Sequence, residues 1–215
     1  MDVQSFSYNY DAYVAFHAGT PWKPVGGGES CSCVVDRGVF QDDKQAGHVG
    51  PDAHGGLFAC IEASWAAVAT NPFVYGNFAW TGFDYRGETT PTGWPAISSH
   101  FGIFDNGGFP KVGAGYYRAW WRDGGRGCLD ISVSPDDWTA PAEVGQLVVV
   151  RVTTAAHSAS LYLNGVLQRP SPMPVQPYGY LNWSVPFSRG NLTAVAYDAG
   201  GDVVAVRTVL SAGPA

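Results

Sequence analysis

The residues in this chain best suited to chemistry are carboxylates set among aromatic rings. Trp80, Asp84, Tyr85, Arg86 and Glu88 crowd one short segment. Flat apolar faces beside carboxylates suit a hydroxyl-rich, ring-shaped ligand, because the rings cover its C–H face while the carboxylates accept its hydroxyl protons. A single Trp is more often core than contact surface. Packing alone does not account for an apolar run that turns abruptly into Trp80-Thr81-Gly82-Phe83-Asp84-Tyr85-Arg86-Gly87-Glu88. A second carboxylate, Glu29, follows Gly26-Gly27-Gly28. On its own it reads as a loop carboxylate in solvent.

The elements that must position these groups alternate between two periods. Residues 73–80 form an apolar, aromatic-rich run between Asn71-Pro72 and Thr81-Gly82, the pattern of a strand buried on both faces. Leu57, Cys60, Ile61, Ser64, Trp65 and Val68 recur at three and four, which predicts a helix ending before Asn71-Pro72. Residues 23–30 predict a short strand, so strand, helix and strand follow at the spacing of a crossover between parallel neighbours. Upstream, residues 2–10 alternate as a strand, and Tyr13, Phe16 and His17 share a helical face. Downstream, 89–95 is too rich in Pro and Gly for regular structure and reads as one wall of a cleft. The turn Asp105-Asn106-Gly107-Gly108-Phe109-Pro110 leads to a helix with Pro110 near its first position and Tyr116, Tyr117, Trp120 and Trp121 on its flank. His48 and His54 read as residues of a solvated loop, His100 as a packed histidine and Lys111 as a helix-start lysine.

Arg122-Asp123-Gly124-Gly125-Arg126-Gly127 marks a change of composition. Beyond it come short strands at 144–153, 160–163, 166–168, 181–185, 192–197 and 203–209, separated by turns such as Asn164-Gly165. Strands at this density predict an immunoglobulin-like sandwich, with Trp138, Tyr178 and Trp183 packed rather than offered to a ligand. The expected division is 1–122, a linker at 123–129, and 130–215.

With 215 residues, 46% of them apolar and 14% aromatic, the chain has the material for a core. Its 28 glycines and 15 prolines suit loop-rich α/β structure joined to an all-β sandwich better than a helical bundle. The net charge of −6, with no basic stripe, argues against nucleic acid or an anionic membrane surface as partner. No apolar stretch approaches the roughly 20 residues of a spanning helix, and the N-terminus lacks the basic flank and apolar run of a signal peptide, so the compartment stays open. Cys31, Cys33, Cys60 and Cys128 lack the spacing of a zinc site; reduced thiols are the expectation, with one disulfide as the alternative. The Gly26-Gly27-Gly28 run lacks a phosphate-loop ending, and neither nucleotide nor redox cofactor is expected.

Residues 76–88, with Trp94-Pro95-Ala96, Ser98-Ser99, Phe101-Gly102-Ile103 and Phe109-Pro110-Lys111, resemble the last strand and last helix of the catalytic barrel in glycoside hydrolase family 2, most closely its β-galactosidase-like members. The resemblance implies a (β/α)8 barrel with its site at the C-terminal ends of the strands, and Trp80 lining the subsite of the glycone. Residues 23–40, with Glu29-Ser30 and Arg37-Gly38, are similar to the seventh strand and its loop, which implies that Glu29 is the nucleophile. Asn9-Tyr10 is similar to the end of the sixth strand, which implies that Tyr10 reaches the site. Asp84 and Glu88 complete the expected substrate-binding set, and no metal ligands are legible. Residues 159–165 and 190–197 resemble the β-sandwich that follows the barrel. The expected fold is therefore α/β plus all-β: a partial (β/α)8 TIM barrel, equivalent to strands six to eight, followed by the sandwich.

A retaining glycosidase needs a second carboxylic acid about 5 to 5.5 Å from its nucleophile. The family's acid follows an Asn, and no Asn-Glu pair occurs among Glu29, Glu62, Glu88 and Glu143. The chain is expected to act on terminal β-galactosides with the acid supplied by sequence outside it or by a complementing N-terminal chain or subunit, and to be inactive in isolation. β-Glucuronidase and β-mannosidase are alternatives within the enzyme class. A non-catalytic carbohydrate-binding or scaffolding protein with a vestigial barrel is the alternative outside it.

Overall fold

A computed structural model describes residues 2–121, 131–139 and 142–213. The chain is mixed helix and sheet, with strands in the majority, and divides into two units, Met1–Lys111 and Val112–Ala215. The linker expected at 123–129, and Cys128 within it, lie outside the described residues.

In the first unit, β1 (Gln4–Ser7), α1 (Ala12–Gly19), β2 (Val25–Glu29), α2 (Leu57–Ala69) and β3 (Val74–Asn77) form two successive strand–helix–strand units. The sheet is open, ordered β1-β2-β3 and parallel throughout, with Gln4 opposite Val25 and Val25 opposite Val74. Tyr13, Val25, Val68 and Val74 are buried together, and Phe6, Tyr10, Phe16, Trp65 and Phe73 pack around them. This is the helix-facing layer that the three- and four-residue spacing of α2 predicts. Helix α2 ends where its sequence turns polar, and Thr70 Oγ1 and Asn71 Nδ2 donate to the carbonyls of Ala66 and Ala67 at 2.6 and 2.8 Å.

The glycines of β2 are there for space. A Cβ on Gly26 would stand 2.6 Å from Gly76 O, one on Gly27 2.6 Å from the Tyr13 hydroxyl, and one on Gly28 2.5 Å from Ser5 Oγ. Neighbouring strands and α1 thus fill the volume that side chains would occupy.

Regular pairing of β3 stops at Asn77, three residues short of the run expected to 80, and Gly76 takes φ +149 within it. The chain still follows its neighbour: Phe78 N–H donates to Gly27 O at 3.1 Å and Trp80 N–H to Cys31 O at 2.9 Å. Residues 81–84 are then tied to 101–104 by backbone bonds, including Thr81 to Phe101 and Asp84 to Phe104. Pro110 opens no helix here. It bridges to Phe104, and the helix begins at Ala114.

The expectation of reduced thiols is corrected at one pair. Cys33 and Cys60 form a disulfide, Cα to Cα 5.8 Å, joining the segment after β2 to α2. Sequence spacing could not choose it, because the two cysteines meet only when α2 packs back on the sheet. Cys31 is a buried free thiol.

In the second unit, α3 (Ala114–Trp121) packs on β4 (Ile131–Ser134) and β5 (Leu147–Thr154). Strands β6 (Ser158–Leu163), β7 (Val166–Pro174), β8 (Leu181–Pro186), β9 (Asn191–Tyr197) and β10 (Val203–Leu210) complete two antiparallel sheets, β4-β5-β8 and β10-β9-β6-β7. Alternation along β8 buries Leu181, Trp183 and Val185 and exposes Asn182 and Pro186, the pattern of a sheet with one dry face. Trp138 and Trp183 are core, as expected, and each indole N–H finds a backbone carbonyl, Ser188 O at 2.8 Å and Pro170 O at 2.7 Å. Asn164 and Gly165 turn between β6 and β7 with φ 50 and 79, the positive pair that a tight hairpin demands. Strand β4 went unread, and β7 extends beyond the expected 168 through Pro170, Pro172 and Pro174. It can do so because it is the sheet's edge strand, where a missing N–H leaves no ladder bond unmade.

Candidate active site

Glu29 is the last residue of β2, half-buried at the C-terminal end of the parallel sheet. Beside it, the chain leaving β1 bends at Tyr8, whose φ of 56 lies in the left-handed region. This bend lets Tyr8 bond Glu29 twice: its N–H donates to Glu29 O at 2.6 Å, and its hydroxyl to Glu29 Oε2 at 2.5 Å. Burial and the neighbouring carboxylate push the Tyr8 phenol up to about 12, so at neutral pH it is a fixed donor to that oxygen.

On the other side of β2, Ser30 and Asn77 lock the strand ends. Asn77 Nδ2 donates to Ser30 Oγ at 2.9 Å, and Ser30 N–H to Phe78 O at 2.9 Å. Trp80 is thereby held alongside Cys31, two residues beyond Glu29. Its indole is 39% exposed. The indole N–H donates to the Tyr85 hydroxyl at 3.3 Å, the rings meet edge to face with centroids 6.1 Å apart, and Tyr85 donates in turn to Glu88 Oε2 at 3.4 Å. Trp80, Tyr85 and exposed Glu88 are thus one linked group.

Two of the expected site residues stand elsewhere. Tyr10 packs against the cluster between sheet and helices. Asp84 is buried, and Lys111 Nζ donates to its Oδ2 at 2.8 Å and its Oδ1 at 3.0 Å while Gly102 N–H donates to Oδ1 at 2.7 Å. Burial pushes the Asp84 carboxyl up and the Lys111 ammonium down, against the pull of each on the other. Lys111 also donates to His100 O at 2.9 Å, so the pair binds the start of the 84–111 loop to its end.

His100, expected as a packed histidine, is buried and bridges two loops. Its Nδ1 lies 2.7 Å from Asp36 Oδ1 and its Nε2 2.7 Å from Thr92 Oγ1. Burial pushes the Asp36 carboxyl up, but the His100 contact, the Val49 N–H and the nearby charges outweigh it and leave the group below its ordinary range. Among the described residues, no three His, Cys, Asp or Glu side chains gather as a metal set.

Sequence reasoning missed Tyr8 and did not choose the Cys33–Cys60 pair. The run Tyr8-Asn9-Tyr10 offered two phenols, and only the left-handed turn at Tyr8 decides which one meets Glu29. The arrangement as built presents one carboxylate, oriented by a phenol, and a partly exposed indole whose backbone bonds the chain two residues beyond that carboxylate. A carboxylate so held can meet a developing positive charge on a reacting carbon, and the indole can cover an apolar sugar face.

The chain is 30% identical, over an alignment 232 positions long, to Beta-galactosidase BoGH2A of Bacteroides ovatus; the alignment covers 99% of this chain and 26% of the relative. The chain belongs to glycoside hydrolase family 2. A Putative beta-glucuronidase of Formosa agariphila is 33% identical over 140 residues, 63% of this chain and 13% of that protein. This family 2 chain therefore spans about a quarter or less of the length of these relatives. Its fold matches the crystal structure of a beta-glycosidase from Bacteroides vulgatus with a TM-score of 0.82 at 22% identity, over 100% of this chain and 31% of that one. Residues 145–205, within the second unit, match a family described as a domain of unknown function, DUF4982.

Proposed function

We propose that this chain is the C-terminal part of a retaining family 2 glycosidase that hydrolyses terminal β-galactosides, with Glu29 as the nucleophile. The observation that carries this reading is the placement of Glu29 at the C-terminal end of a parallel strand, hydrogen-bonded by Tyr8 from one neighbour, with Trp80 on the chain that runs on from the other. In this mechanism the Glu29 carboxylate attacks the anomeric carbon, forming a glycosyl ester as the leaving oxygen takes a proton from a second carboxylic acid; water, deprotonated by that same group, then releases the sugar. Tyr8 orients the attacking oxygen, and Trp80 covers the apolar face of the glycone.

Three parallel strands joined by helices support a partial (β/α)8 barrel, equivalent to strands six to eight, and the two antiparallel sheets support an immunoglobulin-like sandwich. Three strands do not close a barrel, and β1 and β3 keep open edges. The acid and the remaining strands then come from sequence outside these 215 residues or from a partner chain. The galactoside reading draws on the name of the Bacteroides ovatus relative, and the name of the Formosa agariphila relative favours a β-glucuronide as the second glycone.

The test is an aryl-glycoside assay of the chain alone and after mixing with the preceding barrel strands of a family 2 enzyme. Turnover that appears only on mixing, and is fastest on the β-galactoside, is expected. Turnover by the chain alone would overturn the division of labour between Glu29 and an external acid.

A further inference from the structure

The two loops that leave β2 and β3 enclose a groove lined in part by the Asp36, Asp84 and His100 described above, but not by Glu29 or Trp80. Its volume is about 400 Å3, within the roughly 300–1,000 Å3 of small-molecule sites. Arg37, His48, Ile97, Ser98, Asp105 and Asn106 line it, whereas Glu29, Tyr8, Trp80, Tyr85 and Glu88 do not.

Its walls are held in place. The turn at 43–48 is closed by backbone bonds between Asp43 and His48 and by Asp43 Oδ1, which accepts from the N–H groups of Gln45 and Ala46. Gly47, at φ +72, lets the turn press on the opposite loop, where a Cβ would stand 2.5 Å from Ala96 N. The Arg37 guanidinium is fixed by its Nε, which donates to Asp105 Oδ2 at 2.5 Å, and by the Phe109 ring 4.9 Å away. Its terminal nitrogens donate to no acceptor among the described residues. Asn106 Nδ2 donates to Ser98 Oγ at 2.6 Å, and its carbonyl oxygen accepts from no donor among the described residues.

Each lining carboxylate already has an internal partner: Asp36 has His100, Asp84 has Lys111, and Asp105 has Arg37. Neither an anion nor a cation would gain much here. What remains is a set of fixed neutral-ligand contacts, donors on Arg37 and an acceptor on Asn106, beside the apolar Pro95 and the 55% exposed Ile97. Alternating hydrogen-bonding and apolar surface is the complement of a pyranose, which carries hydroxyls at its edge and C–H groups on its faces.

The geometry points to a second, non-catalytic saccharide site between these loops, selective for a neutral, uncharged sugar. It rests on the groove alone and not on the role of Glu29. Titration calorimetry of the full chain with lactose, cellobiose and glucuronic acid tests it. A neutral disaccharide is expected to bind, with affinity unchanged in Glu29→Gln and weakened about fivefold to tenfold in Arg37→Ala and in Asn106→Ala. Asn106→Ala removes only the contact to Ser98, so it reports on the site even if Arg37→Ala disturbs the loop. No binding by the wild-type chain, binding lost in Glu29→Gln, tighter binding of glucuronic acid, or binding unaffected by Asn106→Ala would each overturn the assignment. Absence of glycoside turnover in the complemented wild-type enzyme, with groove binding intact, would count against the catalytic reading alone.

Discussion

Tyr8 donates its phenolic hydrogen to Glu29 Oε2 across the gap between two parallel strands, and its backbone N–H to the Glu29 carbonyl. One residue thereby fixes both the strand end and the carboxylate it carries. Because the phenol is held up to about 12, against 10.0 ordinarily, it keeps its proton in the fold after it would lose it in the unfolded chain. The folded state then binds more protons than the unfolded one between those values. The stability Tyr8 contributes is complete below pH 10.0 and is lost as pH rises through about 12. Tyr8→Phe is expected to lose less stability over that window than the wild type in alkaline denaturation, and an equal loss would refute the bond.

Removing the Glu29 charge tests the proposed chemistry. In the complemented enzyme, Glu29→Gln is expected to abolish turnover with the fold retained, while Trp80→Ala weakens glycone binding by about 1–3 kcal/mol and leaves the pH profile of kcat in place. Retained turnover in Glu29→Gln would remove it from the nucleophile's role.

Asp84 and Lys111 are both buried, so neither tolerates loss of the other. Lys111→Met is expected to cost roughly 3–5 kcal/mol, because it strands a buried carboxylate. Asp84→Asn combined with Lys111→Met restores neutrality and keeps an acceptor for the Gly102 N–H, so it costs less than Lys111→Met alone. Urea denaturation of these two variants and of Asp84→Asn alone measures this, and additive effects would show that the pair is not coupled.

Asp36 behaves in the opposite sense to Tyr8. Its folded carboxyl lies below the ordinary 3.8, so the stability it contributes is present above that value and is lost as pH falls through the folded pKa. Asp36→Asn is expected to flatten the acid limb of the stability curve below pH 3.8. An unchanged acid limb would mean that His100 does not hold the charge.

The Cys33–Cys60 bond closes a loop of sequence separation 27, and its removal by Cys33→Ser with Cys60→Ser is expected to cost about 2–4 kcal/mol. Alkylation before and after reduction should show two thiols appearing only on reduction. Four free thiols in the native, unreduced chain would disprove the bond.

Sequence alone determined the elements whose cause is local. The three- and four-residue spacing of Leu57, Ile61, Ser64 and Val68 is α2, and Asn164-Gly165 is a hairpin because those two types accept positive φ cheaply. The family likeness was legible as well, in the long ordered run from Trp80 to Lys111. Tertiary structure decided what depends on residues far apart in the chain. Asp84 meets Lys111 across 27 positions and joins a buried ion pair, and Cys33 finds Cys60 only after α2 folds back on the sheet. Three prolines sit in β7 because it lies at a sheet edge, a fact absent from its own sequence. Between Tyr8 and Tyr10, one residue apart, the left-handed bend at Tyr8 chose which reaches Glu29. Local pattern encodes which backbone conformation is cheap, whereas partner choice between distant side chains follows from how the packed elements bring them together.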